Sequence, residues 1–364
     1  MNTIVETVNV TRAVAWLPWA VQYFFLIGLS YGAYLLSLPG VAFRRPGWQV
    51  PSRLALLAAL VCGLCAPVAL LSDLHQPGRF WHFYAYFTPS SWMSWGSFFI
   101  PVYLTGLLLY AWLAFRPLLQ QHADARGRFA WAARWLAVGG HESRGPLLMA
   151  ALLTLVGAVL VAVYTGAEVM AVRARPLWHT PLLPVQFFLT AVAGALGLVM
   201  LLNRFGPSRH DAALNRRMAW GVAWLLLASL GVGLVWLVLG MTGLSANDAE
   251  ALREVGPSQN WQTVAIWAVG ATGLAWWLGW KHPDASLLIG LLALHSAWMV
   301  RWAIFIGGQE VPKTGAGYYS YQLPLGPDGL LGILGTAGLW VFIFIVVTNV
   351  LPLDRVGRAT PGQA

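Results

Sequence analysis

Nine long apolar runs, separated by short polar connections, divide most of this sequence. They cover residues 17–41, 54–71, 97–115, 146–171, 182–202, 220–242, 261–280, 287–307 and 330–351. A helix needs about 20 apolar residues to cross a bilayer core, and each run is close to that length. With only 10% charged residues, the protein could not cover a globular surface with water-compatible groups. The sequence therefore predicts an all-α integral membrane protein of about nine transmembrane helices, forming one polytopic domain over residues 1–364.

The basic residues predict an orientation for these helices. The connections after helices 1, 3, 5 and 7 and the C-terminal tail hold Arg44, Arg45, Arg53, Arg116, Arg126, Arg128, Arg134, Arg144, Arg204, Arg209, Arg216, Arg217, Lys281, Arg355 and Arg358. The opposite connections hold Arg12, Arg79, Arg173, Arg175, Arg253 and Lys313. Because basic loops stay in the cytoplasm, we expect the N-terminus outside and the C-terminus in the cytoplasm. The formal charge of +9 therefore reflects topology, and we expect no nucleic-acid partner.

The connection after helix 2 concentrates polar and aromatic groups at the predicted outer face. It holds an acid at the membrane boundary, Asp73, together with His75, Arg79, His82 and many aromatic rings. One interpretation is an interfacial aromatic belt in which Asp73 caps a helix end or forms an ion pair. The other is a quinone site, because a planar head group suits aromatic walls and its redox cycle needs donors and proton acceptors.

Ionisable and polar residues also occur inside the apolar runs. Tyr164 and Glu168 are four apart, so they share one face of helix 4. Helix 8 carries His295 and Arg301. Because charge is costly in hydrocarbon, Glu168, His295 and Arg301 are candidate proton-relay residues. The alternatives are a structural hydrogen bond or an ion pair with Arg301 for Glu168, a buried hydrogen-bonding role for His295, and snorkelling for Arg301.

Helix 1 offers three further candidates for lining a pocket. Trp19, Gln22 and Tyr23 lie in its outer half, above the small-residue stretch 28–32. These small residues permit close helix packing.

Metal and haem sites are not predicted. A transmembrane haem usually needs paired axial histidines, and only His295 lies well within an apolar run. Cys62 and Cys65 are too few ligands for a cluster or a structural zinc site and are expected to be buried thiols. If the protein handles quinone, the electrons must pass to another subunit, and we assign no catalytic residue and no metal to this chain.

Two segments resemble the NrfD/PsrC membrane subunits of polysulfide-reductase-type complexes. Residues 164–179, YTGAEVMAVRARPLWH, resemble the family's segment at the end of helix 4. Residues 73–82 and 89–96, the latter reading PSSWMSWG, resemble its helix 2–3 connection. Tyr164 matches the family's quinone-contacting tyrosine, whereas Tyr23 stands about where some members place a histidine and Ala20 about where they place an asparagine.

The resemblance implies NrfD-type helical bundles: a quinone-site bundle of helices 1–4 (about 15–171), then a second bundle and an extra helix (about 182–351). It implies a haem-free subunit that binds menaquinone or ubiquinone. It also implies a four-cluster, ferredoxin-like iron–sulfur partner and a molybdopterin catalytic subunit, both on the periplasmic face of a bacterial inner membrane. Tyr164, Asp73, His75, Arg79, His82, Trp19, Gln22 and Tyr23 are the candidate quinone-binding residues.

Two other function classes stay open at the level of sequence. A secondary transporter would use Glu168, His295 and Arg301 as an ion pathway, although no internal repeat supports it. A purely structural anchor would bind no quinone. Neither the terminal substrate nor the direction of electron flow can be inferred, because that chemistry lies in other subunits.

Overall fold

The computed structural model describes residues 14–123, 129–139, 144–205, 211–310, 319 and 321–351. Across these ranges the protein is helical and has no β-strand. The two tails, 1–13 and 352–364, to which the charge pattern assigns opposite sides of the membrane, lie outside the described residues.

A long helix occupies each of the nine predicted positions. These helices are α1 (Pro18–Val41), α2 (Gln49–Asp73), α4 (Trp92–Ala123), α6 (Arg144–Met170), α7 (Leu182–Phe205), α8 (Ala212–Thr242), α10 (Gln259–Lys281), α11 (Ser286–Trp302) and α13 (Leu330–Val350). Eight of them, all but α10, are long and apolar enough to cross a membrane, α11 being counted with its extension to Glu310. The difference at α10 has a simple cause, since its five tryptophans lower its mean hydropathy.

Several helices extend beyond the predicted apolar runs, and the connections include short helices. The connection after α2 forms a 3₁₀ turn (Pro77–Arg79) and α3 (His82–Ala85). The remaining short elements are α5 (Ala130–Leu136), α9 (Ala246–Val255), a π-helical turn (Ala303–Gly307) and α12 (Gly308–Glu310). Helix α9 is a polar helix whose first turn is capped by the Ser245 hydroxyl, which accepts from the Asp248 N–H.

Helix α1 lies at the centre of the packing. It contacts α2 most extensively and also α6, α7, α11 and α13. On one side, α4 packs on α6 and α2; on the other, α7 packs on α8 and α11, and α8 on α10. The last long helix, α13, lies against α2 and α1. Two faces of α1 are therefore available to build sites, one toward α2, α4 and α6 and one toward α7, α11 and α13.

Close helix approach depends on glycines at the contact points. A Cβ at Gly32 of α1 would lie 3.1 Å from the backbone oxygen of Ala191 in α7. A Cβ at Gly157 of α6 would overlap the backbone of Tyr103 in α4. The expectation that the small residues after Tyr23 permit close packing is confirmed, and the helices approach closely enough to bury polar side chains between them.

We call the end of the bundle where α1 begins and α2 ends the Asp73 face. The segments that precede α1 and α4 and follow α6 and α11 meet there, because α1 and α4 begin at this end while α6 and α11 end at it. For example, the ring of Trp16, before α1, lies 5.1 Å from the ring of Phe305, after α11.

Candidate functional site

Three protonable side chains meet between α1 and α6 near the Asp73 face. Tyr23, Tyr164 and Glu168 are 0%, 3% and 8% exposed. The Tyr164 hydroxyl lies within hydrogen-bonding reach of the Glu168 carboxyl and beside the Tyr23 hydroxyl. The Tyr23 hydroxyl is buried and makes no hydrogen bond of good geometry with any described residue. We call Tyr23, Tyr164 and Glu168 the tyrosine–carboxyl cluster. A buried hydroxyl without a well-aligned hydrogen bond is costly, so it marks a place where a ligand group would be stabilised.

The walls of this cluster come from the two segments singled out in the sequence. Gly96 ends the PSSWMSWG segment, and a Cβ at this position would overlap the Tyr164 ring. Gly166 lies against Pro184 at the start of α7 in the same way. The i, i+4 spacing of Tyr164 and Glu168 does place both side chains on one face of α6, as predicted.

Asp73 joins this region through a structural role. Its Oδ1 accepts a hydrogen bond from the Leu17 N–H at 3.0 Å, and the Ala20 N–H of the same turn lies near its carboxyl. Helix α1 starts with Pro18 and has no side-chain cap from its own N-terminal residue, so Asp73 supplies one from α2. The half-buried Asp73 carboxyl also interacts electrostatically with Glu168. The structure thus favours the capping interpretation and still places Asp73 next to the cluster.

The other polar residues of that connection lie at the surface. His75 and Arg79 are exposed, and His82 is half-buried with its ring against Trp81 and Tyr86. His75 is near Asp73. Around them lie exposed rings: Phe80, Trp81, Tyr84, Tyr86, Phe87, Trp92, Trp95 and Phe98. This exposed aromatic surface matches the predicted aromatic belt more closely than a closed pocket.

Two of the three helix 1 candidates turn away from the cluster. Trp19 packs on Gly332 of α13. Gln22 lines a cleft of about 700 Å³ between α1, α7, α11 and α13, together with Phe25, Leu26 and Leu29. These positions form one i, i+3, i+4, i+7 stripe of α1. Tyr23 lies one residue further around the helix and faces α6.

Arg301 is almost fully buried, with 1% of its surface exposed. Its Nε donates to the Phe24 carbonyl at 2.8 Å, and its other nitrogens donate to the carbonyls of Ala297 and Phe187 and to the Thr190 hydroxyl. Within the described ranges it forms no ion pair, so the pairing with Glu168 considered above is not present, and Arg301 does not snorkel. It joins α11 to α1 and α7 as a fixed structural group.

His295 lies in a third environment. Its Nε2 accepts a hydrogen bond from the Trp267 indole N–H at 2.8 Å. Because an indole can only donate, a neutral His295 carries its proton on Nδ1. The side chain lines the same cleft as Gln22. Glu168, His295 and Arg301 therefore do not form one pathway.

Sequence reasoning missed a set of hydroxyl groups within the first bundle. Tyr31, Tyr34, Tyr103 and Tyr110 are almost fully buried. The Tyr103 hydroxyl is 2.7 Å from Ser30 Oγ, and the Ser37 hydroxyl donates to the Tyr110 hydroxyl at 3.5 Å. Tyr31 interacts with Thr165 and Arg301. The available signal was the pair of seven-residue repeats Ser30/Ser37 and Tyr103/Tyr110 inside apolar runs, each of which puts polar groups on one helical face.

The Arg-Pro-Leu-Trp motif after α6 has a structural role. The Arg175 guanidinium donates to the Gly308 carbonyl at 2.6 Å, and the Trp178 indole donates to the Ile304 carbonyl at 2.6 Å. Both carbonyls lie in or next to the π-helical turn, so these two side chains join the segment after α6 to the end of α11. Gln309 completes this region by accepting hydrogen bonds from the N–H groups of Ala15 and Trp16. The motif thus fixes the Asp73 face rather than contacting the cluster.

The cysteines are buried free thiols, as expected, and the Trp340 indole donates to Cys62 Sγ at 3.2 Å. In the part of the protein that the structure describes, no three His, Cys, Asp or Glu side chains are grouped so that they could hold a metal ion.

Comparison with known proteins identifies the family. Residues 6–313 match the family model described as polysulphide reductase, NrfD. The chain is 36% identical to a tetrathionate reductase subunit of Salmonella typhimurium, over 96% of this chain and 95% of that protein. It is 24% identical to a selenate reductase subunit of Mesobacillus selenatarsenatis, over 93% and 86%, and 25% identical to one of the polysulfide reductase chains of Wolinella succinogenes, over 85% and 99%. The chain is therefore a multi-pass membrane protein that belongs to the NrfD family of polysulfide-reductase-type proteins.

Proposed function

We propose that this chain is the haem-free quinol-binding membrane anchor of a multi-subunit molybdopterin and iron–sulfur oxidoreductase. The relatives named above are subunits of tetrathionate, selenate and polysulfide reductases, which supports an anchor role. In this proposal a menaquinol-type quinol is oxidised at the tyrosine–carboxyl cluster. Its electrons pass to a four-cluster iron–sulfur subunit, and then to a molybdopterin subunit, at the Asp73 face, which is the periplasmic face of a bacterial inner membrane.

The observation that carries the proposal is the buried Tyr23 hydroxyl, which lies beside Tyr164 and Glu168 but forms no hydrogen bond of good geometry with any described residue. A quinol head group has two oxygens that both accept and donate hydrogen bonds, so it would supply a well-aligned partner for the Tyr23 hydroxyl. Two hydroxyls and one carboxyl in a water-poor site match the donors and the base that such a head group needs. The residues present therefore fit a quinol.

The chemistry asked of these residues is proton transfer. Oxidation of a quinol to a quinone breaks two O–H bonds and releases two protons and two electrons. The two tyrosine hydroxyls orient the head-group oxygens, and the Glu168 carboxylate accepts the two protons in succession, passing the first toward Asp73 before it takes the second. Asp73, half-buried and interacting with Glu168, lies on the way to the surface. The electrons leave through the partner, since no redox group is assigned to this chain.

The buried hydroxyls beyond the cluster support a second element of the proposal. Tyr31, the Ser30–Tyr103 pair and the Ser37–Tyr110 pair extend from the cluster toward the opposite end of the first bundle. Hydroxyls that both donate and accept suit a proton route. We include proton transfer along this set in the proposal, whereas a transporter is not favoured because Glu168, His295 and Arg301 lie in separate environments.

The test is quinol oxidation by the purified complex carrying Tyr164→Phe. Loss of one hydroxyl should lower turnover by about 100-fold, because a positioned proton-transfer group contributes on that order. The iron–sulfur and molybdopterin subunits should still co-purify. Tyr84→Phe makes the same chemical change on an exposed ring and should keep normal turnover. Normal quinol kinetics in Tyr164→Phe would refute the assignment.

A further inference from the structure

The cleft on the opposite face of α1 has the features of a ligand site in its own right. Its volume is about 700 Å³, within the range of about 300–1,000 Å³ typical of small-molecule sites. Leucine, phenylalanine, tryptophan and other apolar side chains from α1, α7, α11 and α13 form most of its lining. Three polar side chains interrupt this lining: Gln22, His295 and Thr336. An apolar cleft with a few polar groups is typical of a site for an amphipathic ligand.

Gln22 is the strongest sign that a ligand belongs here. Its side chain is only 6% exposed and lines the cleft, yet its amide forms no hydrogen bond with any described residue. By contrast, the Thr336 hydroxyl is satisfied by the Gly332 carbonyl within α13. An amide that faces an apolar cleft without a hydrogen-bond partner costs free energy that a bound hydrogen-bonding group would recover. Apolar lipid chains alone would leave that cost in place.

His295 supplies a second donor from the facing helix α11. Because its Nε2 accepts from the Trp267 indole, the neutral ring carries its proton on Nδ1, which forms no hydrogen bond within the described ranges. An amide N–H and an imidazole N–H are donors of the kind that the carbonyl oxygens of a quinone ring accept from.

The lining also argues for an uncharged ligand. Among the described residues that line the cleft there is no Asp, Glu, Lys or Arg. A phospholipid head group carries charge, and placing it against Gln22 and His295 without a counter-charge would be unfavourable. A quinone combines an uncharged head group with a long apolar tail. The stripe of Phe25, Leu26 and Leu29 below Gln22 and the apolar face of α13 would accommodate that tail.

We infer that this cleft is a second quinone site, separated by α1 from the tyrosine–carboxyl cluster. It relies on the proposed function only for the class of ligand. The described lining of the cleft has neither a carboxyl nor a tyrosine. The basic nitrogen of His295, Nε2, is already occupied by the Trp267 indole. The cleft therefore binds quinone without oxidising quinol, and holds a quinone in addition to the one turning over at the cluster.

The test is the number of quinones bound per copy of this protein. The full complex is reconstituted in lipid nanodiscs with menaquinone-4, and bound quinone and phospholipid are counted by native mass spectrometry. Ala337→Trp places a large side chain in the cleft, whereas Leu334→Trp makes a similar change on the exposed, lipid-facing side of the same helix. We expect wild type and Leu334→Trp to bind two quinones and Ala337→Trp about twofold fewer. Gln22→Leu, which removes the amide but keeps an apolar surface, should weaken the same binding event.

Each outcome bears on the inference differently from the proposed function. One quinone in wild type that persists in Ala337→Trp and is lost in Tyr164→Phe would overturn the second site and leave the cluster intact. Displacement of a phospholipid rather than a quinone by Ala337→Trp would overturn it too. A single quinone that disappears in Ala337→Trp would support quinone binding in the cleft. It would contradict quinol binding at the tyrosine–carboxyl cluster.

Discussion

The two faces of α1 differ in what they bury. Toward α6, Tyr23 meets Tyr164 and Glu168, so three protonable side chains lie next to one another. Toward α7, α11 and α13, Gln22 faces a cleft of about 700 Å³ that is mostly apolar. A one-residue step along a helix rotates the side chain by about 100°, and here that step separates the tyrosine–carboxyl cluster from the apolar cleft. The comparison shows why polar residues that are adjacent in sequence need not serve one site.

The largest expected effect is on the carboxyl of the cluster. Glu168→Gln keeps the shape and hydrogen-bonding capacity of the side chain but removes the base, so turnover of quinol should fall by about 1,000-fold. The measurement is steady-state quinol oxidation by the complex across pH, with Glu250→Gln, an exposed acid, as the control. An unchanged rate and pH profile would assign Glu168 a structural role.

Arg301 lies between the two faces of α1, and its substitution should mainly lower the stability of the protein. Arg301→Lys keeps the charge but cannot reach the carbonyls of Phe24, Phe187 and Ala297 together, because lysine has a single donor group. Loss of two charge-assisted hydrogen bonds should lower the free energy of unfolding by about 3 kcal/mol.

Thermal unfolding of the detergent-purified complex measures this change. Arg216→Lys serves as the control, because Arg216 forms an exposed pair with Asp284. Equal midpoints for the Arg301 and Arg216 variants would show that Arg301 is not a structural group and would return it to the proton-relay candidates.

A pair of neighbouring substitutions sharpens the contrast between the two faces. Tyr23→Phe should raise the KM for quinol by about tenfold, since it removes one hydrogen bond to the head group. Gln22→Leu should instead reduce the amount of quinone that co-purifies. Kinetics and quinone content measured on both variants would reveal a single shared site if the two readouts changed together.

The smallest effect is expected in the hydroxyl set beyond the cluster. Tyr103→Phe removes the hydrogen bond to Ser30 but leaves Ser30 bonded to the Ala59 carbonyl. We expect a loss of about 1 kcal/mol in stability. If protons use this set, the solvent isotope effect on turnover should also rise. An isotope effect equal to that of wild type would limit proton transfer to the cluster and Asp73.

The fold was largely predictable because hydropathy determines helix positions in a membrane. The nine apolar runs and the close packing at Gly32 required only composition and spacing. The i, i+4 relation of Tyr164 and Glu168 was also accessible, because it depends on one helix alone. In contrast, the length of its apolar run did not show that α10 differs from the other eight long helices. Its tryptophans lower its mean hydropathy without shortening the helix.

The site was less predictable because it depends on which helices surround α1. Nothing in the sequence shows that Gln22 and Trp19 face α13 while Tyr23 faces α6. The partners of Arg301 are mostly backbone carbonyls, which leave no trace in side-chain patterns. His75 and Arg79 are exposed because of the way in which the connection between α2 and α4 folds. A helical period in the sequence does not predict this.

The most direct test of the central assignment is a cryo-electron microscopy structure of the complete complex with a bound quinol analogue. We predict density for a head group within hydrogen-bonding distance of the Tyr164 and Tyr23 hydroxyls and next to Glu168. Head-group density that occupies the cleft beside Gln22 and leaves the tyrosine–carboxyl cluster without a ligand would contradict the account.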